Sequence, residues 1–146
     1  MKWQVFIGEY QHCLDEKGRV TVPSKYRDQL GERFILTKGL DGCLFIYPLD
    51  EWNLFEQKLK NLPLTNMNAR KFIRFFLSGA VECSPDKQGR ILIPNSLRVY
   101  SEIEKDLVFI GMSNRIEVWS QMKWDAYNNQ VLDMELIATQ MEELGI

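Results

Sequence analysis

The 146-residue sequence has few of the features that mark secreted, membrane-spanning or metal-binding proteins. It contains three cysteines, never in a C-x-x-C pair, and one histidine, which argues against a disulfide framework and a zinc knuckle. It also lacks a run of about 18 apolar residues and an apolar leader with a small-residue cleavage site. We therefore expect no bound metal, no membrane association and a cytoplasmic location.

Motifs that carry catalysis are also absent. Neither a glycine-rich phosphate loop nor a nucleophile elbow occurs in the sequence. Asp15 and Glu16 are neighbouring carboxylates, but they fall in a turn, and nothing outlines the pocket that acid and base catalysis needs. We predict that the protein is not an enzyme and has no catalytic residues, no cofactor and no small-molecule substrate.

Charge is distributed unevenly along the chain. The net charge is -2, which does not suit a protein that attracts nucleic acid by bulk electrostatics. Residues 1–78 carry 12 Lys and Arg against 9 Asp and Glu, whereas residues 79–146 carry 6 against 11. The balances are +3 and -5, so the first half is the basic one.

One unit is written twice in the sequence. The stretch "LDEKGRVTVPSKYR" at 14–27 recurs as "PDKQGRILIPNSLR" at 85–98, and "GLDGCLFIYPLDEW" at 39–52 recurs as "GMSNRIEVWSQMKW" at 111–124. A unit of about 70 residues is marginal alone, so we expect the two to interleave into one core. We divide the chain into residues 1–78, a basic first repeat with a linking helix, and residues 79–146, an acidic second repeat with a C-terminal helix.

Each copy contains an Asp-x-x-Gly turn between two strands. Aspartate at the first position accepts a backbone N–H, and the glycine supplies the positive φ that follows. Asp15, Gly18, Asp86 and Gly89 are therefore predicted to be structural turn residues.

Helices are predicted from proline, asparagine and glycine signals. Pro23 and Pro94 each open a short helix, and a linking helix runs from Asn66 or Asn68 to Gly79. A single C-terminal helix is expected from about Gln121 to Leu144.

The paired Asp-x-x-x-Arg motifs, together with "FIGEYQH", "GLDGCLFIYPLDEW" and "RFFLSGAVEC", resemble the MraZ family of bacterial transcriptional regulators over nearly the whole chain. The resemblance implies an α+β fold with a mostly β core: two tandem AbrB-like swapped-hairpin β-barrel repeats with flanking helices and a pseudo-twofold. It also implies a ring-shaped homo-oligomer, associated with the nucleoid, that binds double-stranded DNA. Family members bind repeated promoter boxes upstream of their own division and cell-wall gene cluster, and usually repress it.

The resemblance also suggests which residues contact DNA. The family motif falls on Arg19, with Lys17 on the same turn, and Lys25 and Arg27 complete a basic group within eleven positions. We expect this group to form one basic edge, in which Arg19 contacts bases and the others hold phosphates. Arg90 lies in the acidic half, so we expect it to serve structure or assembly.

A different class of function is also open. The repeated turns could be assembly contacts of a ring-forming scaffold or interaction protein. Equal charge on both turns would favour that alternative, whereas basic residues concentrated on the first turn favour the regulator.

Overall fold

The computed structural model describes residues 5–130 and 133–146. Within these residues the strands form two antiparallel sheets, one of six strands and one of two. The strands are β1 (Glu9–Cys13), β2 (Arg19–Thr21), β3 (Phe34–Lys38), β4 (Leu44–Pro48), β5 (Val81–Cys83), β6 (Arg90–Leu92), β7 (Asp106–Gly111) and β8 (Ile116–Ser120).

Helices lie between and after the strands. They are α1 (Ser24–Leu30), α2 (Leu49–Lys60), α3 (Met67–Gly79), α4 (Asn95–Ser101), α5 (Gln121–Asn128) and α6 (Met134–Glu142), with a short 3₁₀ turn at Leu40–Gly42. Pro23 and Pro94 stand directly before α1 and α4, one position earlier than predicted. The Asn66 side chain caps the linking helix α3 by accepting a hydrogen bond from the Ala69 backbone N–H at 3.0 Å, which selects Asn66 from the two predicted alternatives, Asn66 and Asn68.

The two repeats exchange strands. The large sheet has the order β1-β7-β8-β4-β3-β5, so the first strand of each repeat pairs with the third strand of the other. In the small sheet β2 of the first repeat pairs with β6 of the second. A pseudo-twofold axis therefore passes between β4 and β8 and between β2 and β6, and the predicted interleaving is confirmed.

The large sheet has an apolar cluster on each face. Along β4, Leu44 and Ile46 pack on the side that carries the β2–β6 ribbon, whereas Phe45 and Tyr47 pack against the opposite cluster with Trp52 of α2. This arrangement buries every residue of β4. The ribbon, α1 and α4 thus lie on one face of the sheet, and α2 and α3 lie on the other.

The α+β class and the tandem arrangement are confirmed, but the sheet is not closed into a barrel. Its described strands end at two edges, β1 and β5. The single C-terminal helix is also corrected: α5 ends at Asn128, and Asp133 starts α6 by accepting N–H bonds from Glu135 and Leu136. Residues 131 and 132, which that prediction included, lie outside the described residues. Within the described ranges, no helix is both long and apolar enough to cross a membrane.

Candidate nucleic-acid interface

The first turn, residues 15–19, is closed by one carboxylate. Asp15 Oδ1 accepts the backbone N–H groups of Lys17 and Arg19, each at 2.9 Å. The Arg19 Nε donates to Asp15 Oδ2 at 2.8 Å, and Gly18 has a φ of 81°. The predicted turn geometry is thus confirmed, and the ion pair adds a contact between the side chains of Asp15 and Arg19.

The second turn, residues 86–90, has the same geometry. Asp86 Oδ1 accepts the N–H groups of Gln88 and Arg90 at 2.9 Å, and the Arg90 Nε donates to Asp86 Oδ2 at 2.8 Å. Gly89 has a φ of 76°. Nothing in the backbone or in the ion pair separates a functional turn from a structural one.

The two arginines lie on the outer face of one β-ribbon. In β2 and β6 the inward residues Val20 and Ile91 are buried in the core, and Arg19 is paired with Leu92 while Arg90 is paired with Thr21. Alternation along each strand puts those four residues outside, where Leu92 is 54% exposed. Arg19 and Arg90 are therefore diagonal neighbours, whose backbone positions are roughly 7–8 Å apart.

Each of these arginines uses only one of its five N–H donors in the ion pair with aspartate. The pair with aspartate uses Nε, and the two Nη nitrogens carry the other four N–H groups of the guanidinium. About a third of each side chain is exposed, 32% for Arg19 and 28% for Arg90. The carboxylate thus orients a fork-shaped cation at the ribbon surface and leaves its forked end for a ligand.

The turns also hold their aspartates in the ionised form. The N–H donated by the Arg19 backbone is the largest of several effects that lower the pKa of Asp15 below its usual 3.8. The backbone N–H of Arg90 lowers the pKa of Asp86 in the same way. Both ion pairs are therefore charged at neutral pH.

The four residues of the predicted basic group do not gather at one turn. Lys17 and Arg19 belong to the first turn, but β2 carries the chain away from it to α1. Arg27 on α1 lies against Gly89 of the second turn, where a methyl group at Gly89 would be 2.7 Å from the Arg27 Cζ. Lys25 lines the same cleft as Thr21 and Arg27. The basic group is thus split between the two ends of the ribbon.

The equivalent arginine of the second repeat completes the exchange. Arg98 on α4 lies against Gly18, and a methyl group there would be 3.0 Å from both its Cζ and its Nη1. Backbone bonds follow the same pattern, because Ile93 donates to the Gly18 carbonyl and Val22 donates to the Gly89 carbonyl. The sequence carried a signal for these contacts, since Arg27 and Arg98 match in the repeat alignment.

Charge at the turns differs from the charge of the halves. The first turn contains Asp15, Glu16, Lys17 and Arg19, which sum to zero, whereas the second has Lys87 in place of Glu16 and Gln88 in place of Lys17. The second turn is therefore the more positive by one charge. The half-chain balance of +3 against -5 does not describe the ends of the ribbon.

The exchanged strands and the repeated turns define a class of protein: two homologous repeats folded around one core, which present a pair of equivalent turns on a shared ribbon. The sequence profile of the MraZ family, described as "MraZ protein, putative antitoxin-like", matches residues 5–75 and again 76–145. The chain belongs to the MraZ family, as the resemblance suggested.

Relatives in this family are similar over their whole length. A protein of Clostridium acetobutylicum and one of Clostridium tetani are each 60% identical over 142 residues, which cover 97% of this chain and 100% of theirs. A third, from Thermoanaerobacter sp., is 56% identical over 143 residues. All three are named Transcriptional regulator MraZ. These names and the family membership confirm the prediction that the chain is not an enzyme.

Proposed function

We propose that this protein is a transcriptional regulator that binds double-stranded DNA through the outer face of the β2–β6 ribbon. The observation that carries the proposal is the diagonal pair of Arg19 and Arg90, each oriented by an aspartate through Nε alone. A two-stranded ribbon fits the major groove, and an arginine fork can bond O6 and N7 of guanine. The names of the relatives support the same function.

Roles within the interface follow from position. Arg19 contacts bases, and Lys17, which is exposed beside it, holds phosphate. Lys25 and Arg27 hold phosphate at the other end of the ribbon, where Arg27 lies against the second turn. Because Arg90 has the same geometry as Arg19, we assign it a DNA contact as well as a structural role.

The finer function rests on the family resemblance. We propose that the protein recognises tandem promoter boxes upstream of its own division and cell-wall gene cluster and represses that cluster. It acts as a ring of identical subunits in the cytoplasm, associated with the nucleoid. A ring suits a chain of net charge -2, because several weak ribbons on tandem boxes raise the effective concentration of each next contact.

Binding to DNA is tested by fluorescence anisotropy on a duplex of the protein's own upstream region and on a scrambled duplex of equal length. The wild type should prefer the first probe, and Arg19→Ala combined with Arg90→Ala should abolish that preference. Lys58→Ala is the control, because Lys58 is exposed on α2 across the large sheet. Equal binding of both probes by the wild type would contradict the proposal.

The ring is tested separately, by light scattering and by probes with one box or several. Multivalent binding predicts much weaker affinity for one box than for three or four at native spacing. An affinity that does not change with box number would exclude this mechanism.

A scaffold protein is the second candidate, and the identical hydrogen-bond geometry of the two turns favours it. If the turns are assembly contacts, Arg19→Ala and Arg90→Ala should dissociate the oligomer. If they contact DNA, the same variants should lose DNA binding while their mass in solution is unchanged.

A further inference from the structure

Two arginines outside the Asp-x-x-x-Arg motifs lie beneath the turns, each under the turn of the other repeat. Arg98 of the second repeat lies against Gly18, and Arg27 of the first lies against Gly89. Both glycines are buried, and each guanidinium occupies the place where a larger turn residue would put its side chain. The absence of a side chain at these glycines therefore permits the close approach of an arginine as well as the positive φ.

Both arginines are incompletely partnered. Their Nε atoms are buried without a hydrogen-bond partner, and among the described residues neither forms an ion pair with a carboxylate. Holding a cation half-buried without a counter-ion costs free energy, and an apolar side chain of similar length would fill the same space without that cost. The charge is therefore available to an anion next to each turn.

We propose that each DNA-contacting turn is completed by the arginine of the opposite repeat. Arg98 supplies a phosphate contact beside the first turn, and Arg27 supplies one beside the second. This inference rests on the proposed function, since the anion is a phosphate of the duplex that the ribbon binds. It makes each half of the interface a composite of both repeats, with Lys17, Arg19 and Arg98 at one end and Lys25, Lys87, Arg90 and Arg27 at the other.

The proposal predicts an exchanged pattern of effects. In an Arg90→Ala background, binding depends mainly on the first turn, so Arg98→Ala should weaken it more than Arg27→Ala does. In an Arg19→Ala background the two should change places. If each arginine served the turn of its own repeat, as sequence proximity suggests, the pattern would be the reverse.

The measurement is a salt titration of the full-length variants on cognate and scrambled duplexes, at low ionic strength so that residual binding is measurable. Loss of one phosphate contact should make the slope of log K against log salt shallower by roughly 0.9 on both probes. Arg98→Lys keeps the charge and should keep the slope. Arg98→Gln keeps much of the side-chain length without the charge, so its slope should be shallower in the same way as that of Arg98→Ala. It serves as the test if Arg98→Ala fails to fold.

The outcomes separate this inference from the proposed function. If the wild type binds neither duplex, the proposed function itself fails. If Arg19→Ala weakens binding but Arg98→Ala and Arg98→Gln leave affinity and slope unchanged, the function stands and the composite site is wrong. A loss of affinity that leaves the slope unchanged and is not restored by Arg98→Lys would make Arg98 a packing residue and would also overturn the proposal.

Discussion

Replacing Arg19 by lysine tests whether the ribbon reads bases or only holds phosphates. Lysine keeps the positive charge but has no fork, so it cannot bond O6 and N7 of one guanine together. A bidentate contact of that kind is worth about 1–3 kcal/mol of discrimination, which corresponds to roughly 5- to 150-fold in the ratio of cognate to scrambled affinity. We expect Arg19→Lys to lose that factor.

The structure limits how much of this effect could come from damage to the turn. The Arg19 Nε bond to Asp15 is an ion pair with 32% and 35% of the two side chains exposed, and solvent-exposed pairs of this kind contribute little to stability. The two backbone N–H bonds to Asp15 Oδ1 do not involve the arginine side chain and remain in the variant. The turn should therefore stay folded, and a loss of discrimination is a loss of base contact.

The assay is a salt titration by fluorescence anisotropy on single-box cognate and scrambled duplexes. The salt slope should be nearly unchanged in Arg19→Lys, because no phosphate contact is removed. Arg90→Lys is the matched variant at the pseudo-equivalent position, and Lys58→Ala is the control on α2. If Arg19→Lys keeps the full preference for the cognate duplex, Arg19 holds a phosphate or only its own turn, and the base contact lies elsewhere.

Three further predictions concern stability. Gly89→Ala should lower the free energy of unfolding by about 1–2 kcal/mol, because alanine is strained at a φ of 76° and its methyl group meets Arg27. The melting temperature should fall by roughly 2–8 °C, and adding Arg27→Ala should recover part of that fall. If nothing is recovered, the Arg27 guanidinium does not lie against Gly89. The turn lowers the pKa of Asp15, so the stability that its ionised carboxylate contributes is present above pH 3.8 and is lost as the pH falls through the folded-state pKa. The NMR titration of the Asp15 carboxyl should therefore have its midpoint below pH 3.8. A midpoint at or above pH 3.8 would contradict the turn geometry. Thr37→Val should lower the free energy of unfolding, measured in denaturant, by about 1–3 kcal/mol, because the buried Thr37 Oγ1 donates to the Phe76 carbonyl at 2.7 Å. Thr37→Ser keeps the hydroxyl, so it should lower that free energy less than Thr37→Val does.

The sequence predicted the local features of the fold because their causes are local. An aspartate four residues before an arginine, with glycine between them, is sufficient to specify the turn, and both copies have nearly identical bond lengths. The asparagine cap of α3 was predictable for the same reason, although the sequence left Asn66 and Asn68 as alternatives. The predicted C-terminal helix is too long because Asp133 caps a separate helix, α6, within the stretch that was expected to be continuous.

The composition of the site was not predictable from position in the chain, because the repeats exchange their strands. Lys25 and Arg27 follow Arg19 by only a few residues, yet a three-residue strand carries them to the second turn. Arg98, which comes 79 positions after Arg19, lies beneath the first turn. The charge of a half-chain therefore says little about the charge at a turn, since each end of the ribbon draws cations from both halves. The same exchange gives a physical reason for two repeats in one chain: a lone repeat would lack both the partner strand of its ribbon and the arginine beneath its turn.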